Sequence, residues 1–563
     1  MNWLVTNLEQ KVQNFQNEIT FSYGKIFWNN KVQFIQKENL TIWVDGYLLP
    51  NYENFEELKG LSQLELVHFL YKKEGLDFPK SLKGIFTLLV YDGNTLQIFS
   101  DQVGIKKFFY FKQGSKFGFS DSLKILSNLL PKVEIEREAL VDHILFNHHI
   151  LGKSFVKGIS FSTNATKVQI DTNFQVSCYW KFEELLDKKN LKSLEKSPQF
   201  FQKLVNSYLD YLDTKKFSCP ITGGIDCRTI LSAVDMDKFD ISTYSYGNEK
   251  SLDVIYAKNL TKKIGLKYQN YDLNDPIEEE YQDLAKKIIT TGNALTSIHR
   301  SHRLNAVLRE AKNNDTMFLG YMGGELARGL FPDDLIISSF VRKTWNGENI
   351  KESILCSFKE ASFKFNEQDI EYALKRVNEL KNWFESPNKY FHFSLEMMSE
   401  IHFAQDINLF AQFCSFVIPV YLDIDYLNYI FQTEFNLLNR TNMTQNPILR
   451  LKGPEFHLRI INELNPKIAK EKLSKGYSPK DYQSILKLGI SVLKNRVLPQ
   501  KDESNFTYRN WYEKFIQKYD FSSMSDFFDV EDESLINKEF STEKTCFNLS
   551  RILEGSLYFK EYK

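Results

Sequence analysis

The chain has 563 residues, 42% hydrophobic and 25% charged, which is typical of a globular protein with about two to four domains. Lys and Arg total 71 and Asp and Glu total 72, so the net charge of -1 excludes the strong positive field that nucleic-acid or anionic-membrane binding needs. No run approaches about 18 apolar residues, and the start of the chain lacks a secretory signal. We therefore expect a cytoplasmic protein without nucleic-acid or membrane partners.

Up to about residue 182 the sequence is dominated by short runs with the pattern of β-strands. The runs are LTIWVDGYLL, GIFTLLVYDG, TLQIFSD, KKFFYFKQG, KFGFSD and TKVQIDTNFQVSCYW. Asp92-Gly93-Asn94 and Gln113-Gly114-Ser115 supply turn residues between neighbouring runs, which predicts hairpins. A helical pattern, SQLELVHFLYKKEG, is expected to pack on the resulting sheet layer.

Beyond a charged stretch at 180–199, predicted to be a linker or an exposed helix, strands alternate with helices. FSCPI, DISTYSY and TMFLGYM have the pattern of buried strands, whereas DCRTILSAVDM, LDVIYAKNLTKKIG and EYQDLAKKIITTG have helical spacing. This alternation predicts a parallel sheet, whose ligands bind beyond the carboxyl ends of the strands. From about residue 340 the chain is predicted to be mostly helical.

The segment FSCPITGGIDCR combines a strand, a glycine pair and the start of a helix. Glycines allow backbone amides to approach an oxyanion, and the positive end of the following helix points to the same place. Thr222 has a hydroxyl that donates to phosphate, and Asp226 offers a carboxylate to magnesium. The segment therefore predicts a phosphate-binding loop, with an ordinary strand-to-helix turn capped by Asp226 as the alternative.

TGGIDCR resembles the pyrophosphate loop of the N-type ATP pyrophosphatases, specifically the asparagine synthetase family, in which SGGxDS or TGGxDSR is usual. TYSYGNEKSLDVIYAKNLTKKIGLKYQNYDL, IPVYLDIDYL and HLRIINELNPKIAKEKLSKGY resemble later segments of that family. LKGIFTLLVYDGNTLQIFSDQVGIKKFFYF resembles part of its glutamine amidotransferase domain, so the resemblance covers about residues 20 to 480.

The resemblance implies an α/β chain of two domains. Residues 1–185 are expected to form an α+β sandwich of the Ntn-hydrolase type, and residues 186–563 a parallel-sheet ATP pyrophosphatase domain with a helical C-terminal region. It also implies ATP as a cofactor, with the adenine near Ser245 and Tyr246. The residues predicted to bind ATP or pyrophosphate are Thr222, Gly223, Gly224, Ile225, Asp226, Cys227, Arg228, Ser245, Tyr246 and Gly320.

The chain departs from the family at the glutaminase nucleophile. Members that hydrolyse glutamine expose a cysteine at position two, whereas this chain begins Met1-Asn2-Trp3. A carboxamide cannot act as a thiolate nucleophile, and the bulk of Asn2 disfavours removal of Met1. The segment expected to build the oxyanion hole is Asp45-Gly46-Tyr47, which loses an amide donor and adds a charge. We predict no glutaminase activity, and a structural N-terminal domain as in the β-lactam synthetase branch of the family.

A second departure concerns the metal. The family's second magnesium-binding Asp aligns with Gly324, beside Glu325. We predict that Glu325 replaces this ligand after a one-residue slip, so that Asp226 and Glu325 hold Mg2+. Loss of the second metal contact is the alternative. Tyr321 stands where asparagine synthetases usually have Glu, and Gly-Tyr resembles the β-lactam synthetase version, which favours a product other than asparagine.

The cysteine pattern predicts neither a catalytic nor a metal-binding role. The six cysteines form no CxxC pair, which argues against a zinc site or a redox dithiol. Cys227 replaces the serine of the loop, and we interpret it as a small packing thiol rather than a nucleophile.

The resemblance implies a ligase that adenylates a substrate carboxylate, releases pyrophosphate and transfers the acyl group to an amine. Tyr321 and either Lys452 or Lys475 are the predicted catalytic residues, with a solvated surface lysine as the alternative for each of the two lysines. The segment with His299, Arg300 and His302 is expected to border the cleft and to bind an acidic substrate, with a polar helix start as the alternative. The substrates are expected to be small-molecule or peptide carboxylates and amines, and a homodimer is left open. Two alternatives stay open: a pseudoenzyme or assembly partner, and an enzyme that adenylates an oxygen other than a carboxylate.

Overall fold

The computed structural model describes residues 2–9, 15–146, 148–171, 174–186, 192–272, 278–298, 301–328, 340, 348–380, 396–433, 454–497 and 524–529. Within them the chain forms two six-stranded sheets and one five-stranded sheet. None of the helices in these ranges is both long and apolar enough to cross a membrane.

Twelve strands of the first half form the two six-stranded sheets, and all their pairings are antiparallel. In chain order they are β1 (Trp3–Thr6), β2 (Asn17–Phe21), β3 (Gly24–Trp28), β4 (Gln33–Lys37), β5 (Leu40–Pro50), β6 (Leu82–Tyr91), β7 (Leu96–Ser100), β8 (Phe109–Gln113), β9 (Lys116–Ser120), β10 (Ser160–Phe161), β11 (Thr166–Ile170) and β12 (Phe174–Cys178). One sheet has the order β10-β8-β9-β1-β3-β2 and the other β12-β11-β7-β6-β5-β4. The predicted hairpins β6–β7 and β8–β9 are confirmed.

The two sheets enclose an apolar core between them. Trp3, Trp28 and Phe119 of one sheet pack with Trp43 and Ile98 of the other. Alternate residues of a strand point to opposite faces, so the same strands also bury a second face under the helices of this half. The predicted sandwich is therefore confirmed. β1 to β4 were not predicted, because they are short, and β2 and β4 carry polar residues at most positions.

The second half contains the five-stranded sheet, which is parallel throughout. Its strands are β13 (Lys216–Pro220), β14 (Asp240–Tyr246), β15 (Lys267–Tyr271), β16 (Thr316–Leu319) and β17 (Phe416–Pro419), in the order β15-β14-β13-β16-β17. The first strand thus lies in the middle, and the chain continues on one side of it before it crosses to the other. Such a switch of direction separates the loops that follow β13 and β16, which opens a crevice at the carboxyl edge of the sheet.

The α-helices frame these sheets. In the first half they are α1 (Phe55–Leu58), α2 (Gln63–Glu74), α3 (Leu123–Leu129), α4 (Arg137–Phe146) and α5 (Glu183–Leu186). Those that follow are α6 (Ser197–Tyr211), α7 (Asp226–Ser232), α8 (Leu252–Ile264), α9 (Glu278–Thr291), α10 (Ser301–Glu310), α11 (Gly323–Arg328), α12 (Ile350–Glu360), α13 (Glu367–Glu379), α14 (Ala404–Phe410), α15 (Ile424–Phe431), α16 (Glu455–Leu464), α17 (Pro466–Ala469) and α18 (Ile485–Val497). The predicted helix after Ser62 is confirmed as α2, and Ser62 and Glu65 form a capping box at its start.

Buried polar contacts join the two halves. Lys83 of β6 forms an ion pair with Asp425 at 3.1 Å and donates to Ser207 Oγ at 3.1 Å. Tyr47 of β5 donates to the carbonyl oxygen of Val417 at 2.8 Å. These contacts fix the sandwich against the parallel sheet, and the domain boundary near residue 185 stays a prediction.

Candidate functional site

The predicted phosphate loop joins β13 to α7 at the carboxyl edge of the parallel sheet. The amide of Gly223 donates to Asp253 Oδ1 at 3.1 Å, and that of Gly224 donates to Thr222 Oγ1 at 3.0 Å. Both glycine amides therefore already bind oxygen atoms of exposed side chains. Phosphate oxygens would compete for the same donors, so these two amides are the candidate phosphate ligands.

A segment near the C-terminal end of the described chain packs directly on this loop. The amide of Ser474 donates to the carbonyl oxygen of Gly223 at 2.9 Å, and a Cβ atom on Gly223 would lie 2.5 Å from Ser474 Cβ. Glycine is needed at 223 for this close approach. Lys475, the next residue, is exposed beside the loop, and its catalytic role stays a prediction. Lys452 lies outside the described residues.

Arg228 holds the same segment in place. Its side chain is fully buried, and Nη1 donates to the carbonyl oxygen of Lys472 at 2.9 Å. Burial lowers its pKa to about 10. The predicted direct contact of Arg228 with phosphate is therefore corrected: the guanidinium faces backbone carbonyls, and its influence on the loop is indirect.

Asp226 is the first residue of α7 and its side chain is 26% exposed. The hydroxyl of Tyr421 donates to its carbonyl oxygen at 2.7 Å, which fixes the start of the helix. The described residues contain no group of three or more His, Cys, Asp or Glu arranged to hold a metal. Mg2+ is commonly held by one or two carboxylates together with substrate phosphates, so a single carboxylate beside the loop fits that ion. The side chain of Glu325, within α11, lies outside the described part of the chain.

Gly320 follows β16 and lies against the first residues of α7. A Cβ atom there would lie 2.6 Å from Cys227 Sγ, so glycine allows the two loops to meet. Hydrogen bonding to Cys227, together with burial, raises the pKa of the Cys219 thiol well above its ordinary value. No sequence motif pairs Cys219 with Cys227, whereas the path of the chain from β13 to α7 brings the two thiols into contact. This surrounding supports a packing role for Cys227.

Ser245 and Tyr246 end β14 beside the loop. The hydroxyl of Ser245 is buried and donates to the carbonyl oxygen of Ile221, so it supports the beginning of the loop. The Tyr246 ring lies 5.2 Å from that of His302, between ring centroids, and burial raises its pKa. The predicted adenine contact stays a prediction. His299 and Arg300 lie outside the described residues.

Tyr321 lies at the edge of the crevice, next to an ion pair that the sequence did not predict. Its hydroxyl donates to Asp406 Oδ2 at 3.4 Å, and Arg303 Nη1 binds the same oxygen at 2.5 Å. The Tyr321 ring stacks on Phe403 with 4.7 Å between centroids. The next residue, Met322, has φ +71°, an uncommon backbone conformation for a residue with a side chain. Asp406 and Arg303 come from helices far apart in sequence, so only the fold reveals them.

A second polar cluster lies at the start of β1, at the position that the resemblance assigns to the glutaminase nucleophile, where this chain has Asn2. Asn2 Nδ2 donates to Asp45 Oδ1 at 2.8 Å, and its backbone amide donates to both oxygens of Asp121 at 2.9 and 2.8 Å. Lys106 Nζ lies 3.1 Å from Asp45 Oδ2, and all four residues are buried. Burial also raises the pKa of Asp121. The groups of this cluster bind one another.

Comparison with known proteins supports the predicted relationship. Residues 46–180 match the family model described as a glutamine amidotransferase domain. The chain is 27% identical over 272 residues to the Methanocaldococcus jannaschii protein named "Putative asparagine synthetase (glutamine-hydrolyzing) 1", covering 46% of this chain and 47% of that one. It is 22% identical over 271 residues to asparagine synthetase (glutamine-hydrolyzing) 2 of Bacillus subtilis, covering 42% and 35%. The chain thus spans less than half the length of each relative.

Among solved structures, a glutamine-dependent NAD+ synthetase from Acinetobacter baumannii in complex with ADP is 10% identical, with a TM-score of 0.18. The match covers 41% of this chain and 52% of that one. So low a TM-score supports no inference about the site. The β-lactam synthetase branch stays a prediction.

Proposed function

We propose that this chain, which is asparagine synthetase-like and carries a glutamine amidotransferase domain, is an ATP-dependent ligase that adenylates a carboxylate and transfers it to an amine. One observation carries the proposal: the glycine pair and Asp226 stand at the carboxyl edge of a parallel sheet, at its switch point, with the Ser474 segment against them. Nucleotides bind at such points in open α/β sheets.

The phosphate oxygens of ATP would accept hydrogen bonds from the amides of Gly223 and Gly224, in place of the side-chain oxygens of Asp253 and Thr222. Asp226 would hold Mg2+, which screens the charge of the phosphates. Positioning and screening are what the adenylation step needs, because charge gathers at the α-phosphorus as the carboxylate attacks. Lys475 stands beside the loop to stabilise that charge.

Amide formation follows when an amine attacks the acyl-adenylate and displaces AMP. The amine must lose a proton in this step. Tyr321, whose hydroxyl donates to Asp406, would relay this proton: the phenol oxygen accepts the proton of the amine as its own proton passes to the Asp406 carboxylate. With this assignment, acyl transfer takes place in the crevice of the second half and uses no group of the cluster around Asn2.

The proposal includes the absence of glutamine hydrolysis. Asn2 provides a carboxamide at the position expected for the nucleophile, and its side chain is already bound to Asp45. Lys106 binds the other oxygen of Asp45. Free ammonia or an amine substrate would therefore supply the nitrogen.

Exchange of radiolabelled pyrophosphate into ATP, screened over carboxylic acids, tests adenylation. We expect Asp226→Asn to lower exchange about 10²- to 10³-fold, because the phosphate charge loses its screening. Asp235→Asn is the matched control, since Asp235 is a solvent-accessible carboxylate that pairs with Lys238 at 3.1 Å. Equal exchange in the two variants would contradict the proposed site.

A second variant separates the two half-reactions. Tyr321→Phe removes the hydroxyl and keeps the ring on Phe403, so we expect exchange within about threefold of wild type and amide formation lowered about 10²-fold. A parallel loss of both rates would refute the assigned proton transfer.

A second candidate function is a catalytically impaired protein that retains the fold. The presence of Gly324 where the family has a metal-binding Asp favours it. Binding of Mg-ATP without exchange for any acid would support this candidate over the ligase.

A further inference from the structure

His457 of α16 is a fully buried histidine between the two loops of the crevice. Its Nδ1 lies 3.1 Å from Thr229 Oγ1 on α7, and its Nε2 lies 2.9 Å from the carbonyl oxygen of Gly323, the first residue of α11. A carbonyl oxygen only accepts, so Nε2 carries a proton and donates it. The two ring nitrogens therefore link α7 to α11, whereas His457 itself belongs to α16.

Both joined elements belong to the proposed site. Thr229 lies one turn after Asp226 on α7, and α11 carries Glu325. His457 Nε2 is 3.7 Å from Asp226 Oδ1, which is too long for a hydrogen bond. The imidazole ring thus contacts α7 and the start of α11, and it holds the Asp226 carboxylate at a fixed position relative to α11.

Neighbouring side chains keep this arrangement rigid. Tyr421 donates to the carbonyl oxygen of Asp226 and lies 3.5 Å from His457 Nδ1 through the same hydroxyl. A Cβ atom on Gly323 would lie 2.8 Å from the Tyr421 ring, so the start of α11 is pressed against it. Tyr421 therefore contacts both elements that His457 joins.

We propose that His457 is a positioning residue that fixes the separation of α7 from α11 and so holds the phosphate loop and Asp226 in the geometry that Mg-ATP needs. The inference rests on the proposed function. A site held in place before the ligand arrives binds more tightly, because less order has to be created on binding. Loss of the bridge should therefore weaken binding of the phosphates and leave binding of adenosine unchanged.

Two substitutions of His457 each keep one of its two hydrogen bonds and remove the other. In His457→Gln the amide nitrogen reaches the position of Nε2 and retains a donor for the Gly323 carbonyl. In His457→Asn the amide reaches only the position of Nδ1, near Thr229. By titration calorimetry we expect the affinity of Mg-ATP to fall about 10- to 100-fold in His457→Asn and at most about threefold in His457→Gln. The affinity of adenosine is expected to match wild type in both. Arg459→Gln on the same helix, where Arg459 pairs with Glu455 at 3.3 Å, is the control expected to bind as wild type.

Hydrogen exchange supplies a readout without nucleotide. The amides of α11 should exchange faster in His457→Asn than in His457→Gln, because only the first variant releases the Gly323 carbonyl. If both variants fail to fold, Thr229→Val removes the Nδ1 partner at nearly constant shape and keeps the Gly323 contact, so the affinity of Mg-ATP is expected to fall at most about threefold, as in His457→Gln. A loss of about 10-fold or more in Thr229→Val would overturn the assignment.

The outcomes distinguish this inference from the proposed function. Wild type that binds no Mg-ATP overturns both. Wild type that binds Mg-ATP while His457→Asn binds equally well overturns the role of His457 alone. Equal losses for Mg-ATP and adenosine, or equal losses in the Gln and Asn variants, show a general packing role and also overturn it.

Discussion

The two polar clusters of the chain differ in what their groups bind. At the start of β1, Asn2, Asp45, Lys106 and Asp121 are buried and satisfy one another. At the phosphate loop, the amides of the glycine pair bind side-chain oxygens of exposed residues. A ligand can take the place of an exposed side chain at little energetic expense, whereas it would have to separate buried charges in the first cluster.

Under the proposed absence of glutamine hydrolysis, the difference accounts for how a domain keeps its fold once its pocket no longer serves catalysis. A pocket that bound a substrate leaves polar groups that need partners in the interior. In this chain the amide of Asn2 and the charge of Lys106 supply those partners. The crevice of the second half keeps its donors exchangeable, which is why we place the chemistry there.

The largest expected effect breaks the buried pair of the first cluster. Lys106→Met leaves the Asp45 carboxylate without its cation, so the free energy of unfolding should fall by about 3 to 5 kcal/mol in urea titrations. Pyrophosphate exchange per folded molecule should not change. The control is Lys80→Met, because Lys80 is exposed and lies 3.7 Å from Asp77. Equal stability of the two variants would show that the first cluster is not the tightly coupled unit described above.

Asn2→Cys sharpens the same comparison. A thiol at this position would stand beside the Asp45–Lys106 pair and lack the expected oxyanion-hole segment, so we expect no release of glutamate from glutamine. Release above the level of wild type would contradict the structural role of the N-terminal half.

The next effect tests the phosphate loop by steric pressure. Gly223→Ala places a Cβ atom 2.5 Å from Ser474 Cβ, in a segment that the Gly223 carbonyl and Arg228 hold in place. We expect the affinity of Mg-ATP to fall about 10²-fold, since the loop must move. Gly60→Ala is the control, because a Cβ atom on Gly60 meets nothing within 4 Å.

A second substitution makes this test specific. Ser474→Gly removes the opposing Cβ atom, so Gly223→Ala combined with Ser474→Gly should regain most of the lost affinity. Additive losses in the double variant would mean that the alanine acts elsewhere.

The sequence predicted the elements whose signals are local. The strand and helix around the phosphate loop, α2 and the hairpins of the first half follow from hydrophobic periodicity and turn residues. The glycine pair between strand and helix left an ordinary turn as the alternative, and the resemblance of TGGIDCR to a pyrophosphate loop favoured phosphate binding.

Other parts of the site depend on chain segments that meet only in the fold. Asp406 reaches Tyr321 from a helix far along the chain, and His457 joins α7 to α11. Arg228 shows the opposite error, because its place in the loop motif suggested phosphate binding while its side chain turns inward. Residue type and spacing do not show which way these side chains point or which segments they contact.

The smallest expected effect concerns pH and distinguishes the two halves once more. Asp101 follows β7, is buried, and accepts from the amides of Ile105 and Lys106 at 2.9 and 2.8 Å. Burial raises its pKa to about 6 from the ordinary 3.8, so the folded chain binds this proton more tightly than the unfolded chain. Its contribution to stability is complete below about pH 4 and is lost as the pH rises through 6.

Between about pH 4.5 and 6.5 the loss should reach about 2 kcal/mol in the free energy of unfolding. Asp101→Asn does not titrate, so the stability of this variant relative to wild type should rise over that range in urea titrations at each pH. The affinity of Mg-ATP should not follow the same profile, because Asp101 belongs to the sandwich and the phosphate loop to the parallel sheet. A stability difference that is flat with pH would show that the buried carboxylate is ionised throughout, held by its amide donors rather than penalised by burial.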